Sequence, residues 1–166
     1  VPYEDYQQGG DVLSLLLGPV TAVLALNIYR QRQLLKEYFF PVLAGCFTGC
    51  LTSLGSILLL CKLLSVDSVI ASSLLPKSVT TAIAVAISDS NGGIQGITVT
   101  AVLVAGVIGA IFAPLFAKLF HVTDPVAEGV AIGACSHALG TSKAMEIGAL
   151  QGAMSSIALC VCGIMT

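Results

Sequence analysis

Polar positions along this chain are scarce and gathered into short groups, and the apolar runs between them are long. Residues 12–29, 38–61, 94–117 and 150–166 are nearly free of charge. Each run approaches or exceeds the roughly 20 residues that cross a bilayer as a helix. Two less regular stretches, 68–91 and 125–147, lie between them and carry hydroxyls, lysines and helix breakers. Gly and Ala occur throughout and no period-two alternation appears, which favours helices over an outer-membrane barrel. The pattern predicts an all-α, polytopic membrane helix bundle, a single domain over 1–166.

Composition agrees: 56% of residues are hydrophobic and 10% charged, with a mean hydropathy of +0.97, well outside the balance of soluble domains. A net charge of −2 argues against a nucleic-acid partner and against a polybasic lipid-binding arm. Arg30, Arg32 and Lys36 form a cation cluster after the first run. It is expected on the cytoplasmic side, with Glu4, Asp5 and Asp11 outside. The opening "VPYEDYQQGGD" is acidic and lacks the features of a signal or transit peptide, so the chain is expected to start partway through a longer protein. It ends at Thr166 in an apolar run, and a cut C-terminus is expected there too.

Six cysteines stand at positions 46, 50, 61, 135, 160 and 162. No pair matches a zinc motif and no histidine lies at ligand spacing, so they are read as small hydrophobes, with no metal and no cofactor. Gly45/Gly49, Gly129/Gly133 and Gly148/Gly152 have the four-residue spacing of closely packed membrane helices. Intramolecular packing is expected there, with a homo-oligomer interface as the alternative.

The irregular stretches carry the candidate chemistry. In "SLLPKSVTTAIAVAIS", Pro76 removes an amide donor and disfavours helix at Leu75, so a break is expected with a new half-helix carrying Lys77, Ser78, Thr80 and Thr81 at its start. In "AIGACSHALGTSKAM", Gly140 is the expected breaker, with Thr141 as N-cap and Lys143 just beyond. Broken backbone at membrane depth marks binding sites in transporters. A fresh helix N-terminus favours an anion. Lys77 and Lys143, His137 according to pH, and the hydroxyls of Ser78, Thr80, Thr81, Ser136 and Thr141 would add donors and hardly any negative charge. A small carboxylate fits that chemistry. Lys77, Thr80 and Thr81 share a face at helical spacing, as do Ser136, Gly140 and Lys143 if the second break is mild. The bland readings are Pro kinks, hydroxyls bonding the preceding turn, snorkelling lysines and an interhelical histidine.

The stretches also recur. A long run (38–61), a polar connection (62–67) and a broken segment (68–91) repeat as 94–117, 118–124 and 125–147. Such duplication is a common transporter plan. The copies would be parallel if each broken segment crosses the membrane and inverted if each turns back.

At these residues the sequence resembles a known family. "SLLPKSVTTAIAVAIS" with "GGI", then "DPVAEGVAIGACSHALGTSKAMEIGALQGAMSSIAL", and upstream "LLLGPVTAVLALNIY", are similar to the LrgB/CidB membrane proteins over nearly the whole chain. The resemblance implies further N-terminal hydrophobic segments, absent from this chain. Asn27 and Ala82 stand where family members often have proline, and Glu128 where they have arginine. Bacterial members are described as partners of a small LrgA/CidA membrane protein, in a holin-like system that influences murein hydrolase activity and cell lysis. A plastid relative moves glycolate and glycerate, and bacterial relatives are linked to pyruvate.

The resemblance therefore implies either a small-carboxylate transporter or a holin/antiholin-like lysis regulator. The broken segments and paired lysines favour the transporter as the first expectation. The expected location is the bacterial cytoplasmic (inner) membrane, with a plastid envelope as the alternative. An enzyme is not expected, for want of a nucleophile, a metal cluster or an acid–base pair of carboxylates.

Overall fold

The computed structural model describes residues 29–166 together with Leu15, Pro19, Ala22, Val23 and Leu26. Most of the first apolar run, Asn27 and the N-terminal acids Glu4, Asp5 and Asp11 lie outside the described residues. The described chain is all-helical: α1 (Arg32–Glu37), α2 (Phe39–Leu63), α3 (Ser68–Leu74), a 3-10 turn (Leu75–Ser78), α4 (Thr81–Ser90), α5 (Gln95–Leu119), α6 (Pro125–Ile147) and α7 (Ala149–Met165).

Two of these helices, α2 and α5, are long and apolar enough to cross a membrane. At 25 residues each they reach about 37 Å, more than the hydrocarbon core of a bilayer. Only 17% and 11% of their most apolar windows are buried, far less than in the core helix of a soluble domain. Leu59 of α2 and Ile111 of α5 are more than half exposed. The last apolar run forms α7, an apolar helix of 17 residues that lies against α6, with Met154, Ile157 and Ala158 buried.

The repeat is visible in backbone detail. Helices α2 and α5 are equal in length and 56 positions apart. Each ends in the same capping motif, with Ser65 (φ 51°) and His121 (φ 54°) in left-handed geometry. The Val66 N–H then donates to the Cys61 carbonyl and the Val122 N–H to the Ala117 carbonyl, both at 2.9 Å. Next comes an aspartate that caps the following helix: Asp67 accepts from the Val69 N–H (3.3 Å) and Asp124 from the Val126 N–H (2.7 Å).

Each capped segment then turns back on itself. In α6 the backbone leaves helical geometry at His137 (φ 42°, ψ −136°). Gly129 packs on Gln151 and Gly133 on Ser155, so the arm before His137 runs parallel to α7. Thr141 bonds Ser155 and Gly152 packs on Met145, so the arm after it runs antiparallel. The arms are therefore antiparallel to each other. Gly140 rests on Ile132, and Glu128 and Ile147 line one 400 Å³ cavity at the base. The reversal thus sits at His137, three residues before the glycine where a break was expected. Gly140 lies inside the returning arm, its lack of a side chain letting that arm lie against Ser136 and Ile132.

In the first copy Pro76 leaves helical geometry (φ −83°, ψ 16°), and Val79 and Thr80 are extended. The chain returns here as well, since Ser73 of α3 and Ser88 of α4 both meet Gly93. The Ser73 hydroxyl oxygen accepts from the Ile94 N–H (2.7 Å), and the Thr98 hydroxyl donates to Ser88 (2.6 Å). The two turning points, Thr80 and His137, are 57 positions apart, as are the final residues Ser90 and Ile147.

Neighbour pairs fix the relation of the copies. Gly45 faces Val130 and Gly49 faces Ala134, so α2 is parallel to the outgoing arm of the second hairpin. Gly109 faces Ser136 and Ala113 clusters with Ile132, so α5 is antiparallel to that arm. Helices α2 and α5 run in opposite directions, the hairpins enter from opposite ends, and the copies are inverted.

Candidate functional site

Both hairpin tips reach one residue near the middle of α5. Val79 and Ala84 pack on the Val102 side chain. His137 Nε2 lies 2.9 Å from the Val102 carbonyl. A carbonyl only accepts, so Nε2 carries the proton. The His137 ring is 2% exposed and lies on Gly106, where any side chain would collide with it.

Lys77 stands beside this junction, half-buried at the end of the 3-10 turn. Its Nζ donates to the Ser78 hydroxyl (3.3 Å), which pairs with Ser53 of α2 at 2.5 Å. Two clefts flank the outgoing arm of the second hairpin and converge on Lys77 and Cys135. One, of 770 Å³, runs from Tyr38 and Asp124 along α2. The other, of 500 Å³, runs from Phe120 and Glu128 along α5 and takes in Ser136. A 640 Å³ groove between Lys77 and Gly96 lies on the opposite side. The Lys143–Glu146 pair is the ion pair among the described residues. Among the described residues, the Lys77 ammonium therefore has no carboxylate within salt-bridge distance.

The tip of the first hairpin is also incompletely bonded. Thr80 is the N-cap of α4, yet its side chain makes no cap hydrogen bond. Its hydroxyl oxygen is buried without a partner. A buried helix start without a cap leaves amide donors unpaired, and such a group calls for a ligand, ion or water.

The remaining candidates separate. Thr81 is exposed and does not share a face with Lys77 and Thr80, because the backbone between them is not α-helical. Thr141 does not cap at a break: it bonds the His137 carbonyl (2.8 Å) and Ser155 (2.9 Å) within the returning arm. Ser136 and Lys143 fall on opposite arms. Lys143 pairs with Glu146 at 2.8 Å toward the hairpin base and lines no cleft with Lys77. Three groups of the cleft walls escaped the sequence reading, Ser53, Asp124 and Cys135, and Glu128, noted there only as a departure from the family pattern, lies at a cleft mouth as well. Asp124 and Glu128 place acid at the cleft mouths where hardly any was expected. Cys135 is exposed where a buried hydrophobe was expected, and only its place before Ser136 and His137 hinted at the site.

The LrgB-like family model matches residues 1–166. This chain belongs to the LrgB-like family. It is 39% identical over 164 residues to the antiholin-like protein LrgB of Bacillus subtilis (strain 168), covering 99% of this chain and 71% of that protein. It is 38% identical, with the same coverage, to the antiholin-like LrgB proteins of Bacillus mycoides (strain KBAB4) and Bacillus cereus (strain B4264). No solved structure matches. Of the departures from the LrgB pattern, Glu128 accepts a hydrogen bond from Gln151 (3.2 Å) at the cleft mouth, and Ala82 lies in the first turn of α4.

Proposed function

We propose that this chain is an antiholin-like membrane protein that acts with a small LrgA-type membrane partner and restrains murein hydrolase activity. The observation that carries this reading is the family match along all 166 residues, with relatives bearing the antiholin-like name. It is a multi-pass protein of the bacterial cytoplasmic membrane and performs no covalent chemistry. The structure strengthens the orientation argument beyond the one loop. Arg30, Arg32, Lys36, Lys118 and Lys143 gather at the end holding the α2 N-terminus and the second hairpin's base, against Lys62 alone at the other. That end faces the cytoplasm. The test is expression in a bacterium lacking its own LrgB-type protein. Murein hydrolase activity and autolysis return toward the parental level, and an LrgA-type protein co-purifies. Unchanged lysis with no partner recovered overturns the reading.

One site favours a second activity in the same protein, passage of a small carboxylate of the pyruvate, glycolate or glycerate class. Lys77 is a cation with no acidic partner among the described residues, where the clefts converge, beside an uncapped helix start and an unpartnered hydroxyl. Helix starts and ammonium groups both stabilise an anion there. Uptake of labelled carboxylates into proteoliposomes tests it, and no uptake above protein-free vesicles removes it.

A further inference from the structure

The two clefts beside the outgoing arm end at the same ammonium but differ in their walls. Along α2 the wall carries hydroxyls at Thr48, Thr52, Ser53 and Ser56. Along α5 it carries none, and Ile108, Gly109, Ala113, Phe116 and Phe120 line the 500 Å³ cleft. The contrast falls on equivalent positions of the repeat, since Thr48, Thr52 and Ser53 are matched 56 positions on by Val104, Ile108 and Gly109. One cleft suits a hydrated solute and the other an apolar group. Apolar walls with a few placed polar groups, in a volume of about 300–1,000 Å³, are the usual form of a small-ligand site. Here the polar groups stand at the two ends of the cleft. Lys77 and Ser136 supply donors at the inner end, and Glu128 stands at the mouth.

That distribution of charge orients a ligand. A carboxylate is attracted by the Lys77 ammonium, which has no acidic partner among the described residues, and repelled by Glu128, so an apolar tail on it points toward the mouth. We infer that the α5 cleft holds the tail of an amphiphilic monocarboxylate, a free acid with an apolar chain, whose head occupies the Lys77 site. The α5 wall runs from Ala105 to Phe120, about 22 Å at 1.5 Å per residue, which gives the chain its room. An anionic lipid of the bilayer does not fit. Its headgroup stays at the membrane surface, whereas Lys77 meets α5 at Ala105, toward the middle of that helix. Free acids with apolar chains partition into bilayers, and the exposed Phe116 and Phe120 rings bring the mouth of the cleft against lipid. The inference rests on the reading of Lys77 as an anion site and extends it from small carboxylates to ones with an apolar chain.

The probe is a medium-chain alkyl carboxylate with a diazirine at its tail, photolysed with the protein in proteoliposomes, and the adducts are mapped by mass spectrometry. Adducts are expected on the α5 wall between Ala113 and Phe120. They are expected to fall at least about tenfold when the probe's carboxylate is replaced by a primary alcohol, and equally in Lys77→Met, as for the loss of a charged contact. Background adducts on Leu59, exposed on α2, are expected to stay unchanged in both comparisons. The alcohol comparison uses the native chain, so it stands whether or not Lys77→Met folds. Ala117→Phe keeps the ammonium, fills the cleft and is expected to remove the α5 adducts. Adducts on the α5 wall that persist with the alcohol show bilayer acyl chains filling the cleft and overturn the inference. Adducts confined to the α2 wall, or absent from both clefts, also overturn it. Uptake of small carboxylates without carboxylate-dependent α5 adducts rejects this inference and keeps the small-solute reading. Carboxylate-dependent α5 adducts without any uptake support the inference and reject only passage.

Discussion

The two hairpins have equal lengths and inverted placements, yet their tips solve the same turn by opposite means. The first uses Pro76, a 3-10 turn and two extended residues, and leaves the Thr80 hydroxyl without a partner, while the Lys77 ammonium is bonded to the Ser78 hydroxyl and to no acid of the described residues. The second turns at one residue and satisfies what it exposes: His137 bonds Val102, Thr141 bonds the His137 carbonyl and Ser155, and Lys143 bonds Glu146. The buried hydroxyl without a partner is on the first copy. The difference separates a hairpin that can bind from one built to hold the fold, though both began as similar polar interruptions in the sequence.

Packing gives the largest expected contrast. A side chain at Gly133 would run into the Ser155 backbone carbonyl. Gly133→Val is therefore expected to cost about 3 kcal/mol or more as overpacking against rigid backbone. Pro76→Ala, at the equivalent position of the first hairpin, is expected to leave a folded protein. Fluorescence-detected size exclusion after a heat ramp separates the two, and equal loss at both positions would remove the asymmetry.

Charge gives the next. Lys77→Met is expected to weaken carboxylate binding by ten- to a hundredfold, about 1.5–3 kcal/mol for a lost charged contact, with normal expression. Lys143→Met, whose ammonium already has Glu146, is expected to change affinity less than twofold. Arginine at 77 should rescue poorly, since a planar fork does not replace a compact ammonium. Binding by isothermal titration in detergent decides it. A matched loss at both lysines would restore the two-lysine site that the sequence suggested.

The threonines should differ in sign. Thr141→Val breaks two hydrogen bonds and is expected to cost about 1–2 kcal/mol of stability. Thr80→Val removes an unpartnered buried hydroxyl and is expected to leave stability unchanged or raise it by up to about 1 kcal/mol, while modestly weakening binding. Melting temperatures of the two variants report this directly.

Much of the architecture was legible in the chain because hydrophobic length and turn chemistry are local. The runs 38–61 and 94–117 lie within α2 and α5 bar one residue at each start. The copies recur 56 to 57 positions apart, as the starts of the expected runs at 38 and 94 and of the broken segments at 68 and 125 already implied. Pro76 marked the first turning region because proline acts on its own backbone. The second turn was not legible. Glycine is the usual residue for positive φ, so Gly140 was the natural choice, but His137 takes that geometry because Val102 and Gly106 of α5 hold its ring. That is a tertiary effect. The same holds for Lys143, whose acid partner is three residues away and whose arm the reversal carries off from Lys77. The unpaired state of Thr80 depends on every neighbour it lacks, and no local pattern records that.

The Lys77 site exists only if the chain turns back at the tips. Spin labels at Glu128→Cys and Ile147→Cys, with the other cysteines replaced, measure it in the second hairpin by pulsed electron–electron resonance. A continuous helix separates these positions by about 28 Å, at 1.5 Å for each of 19 residues. The hairpin places both on one 400 Å³ cavity, and the expected result is a single distance population below about 20 Å, allowing for label length on that helical scale. A population centred near the continuous-helix distance would contradict the inverted hairpins, and with them the Lys77 site.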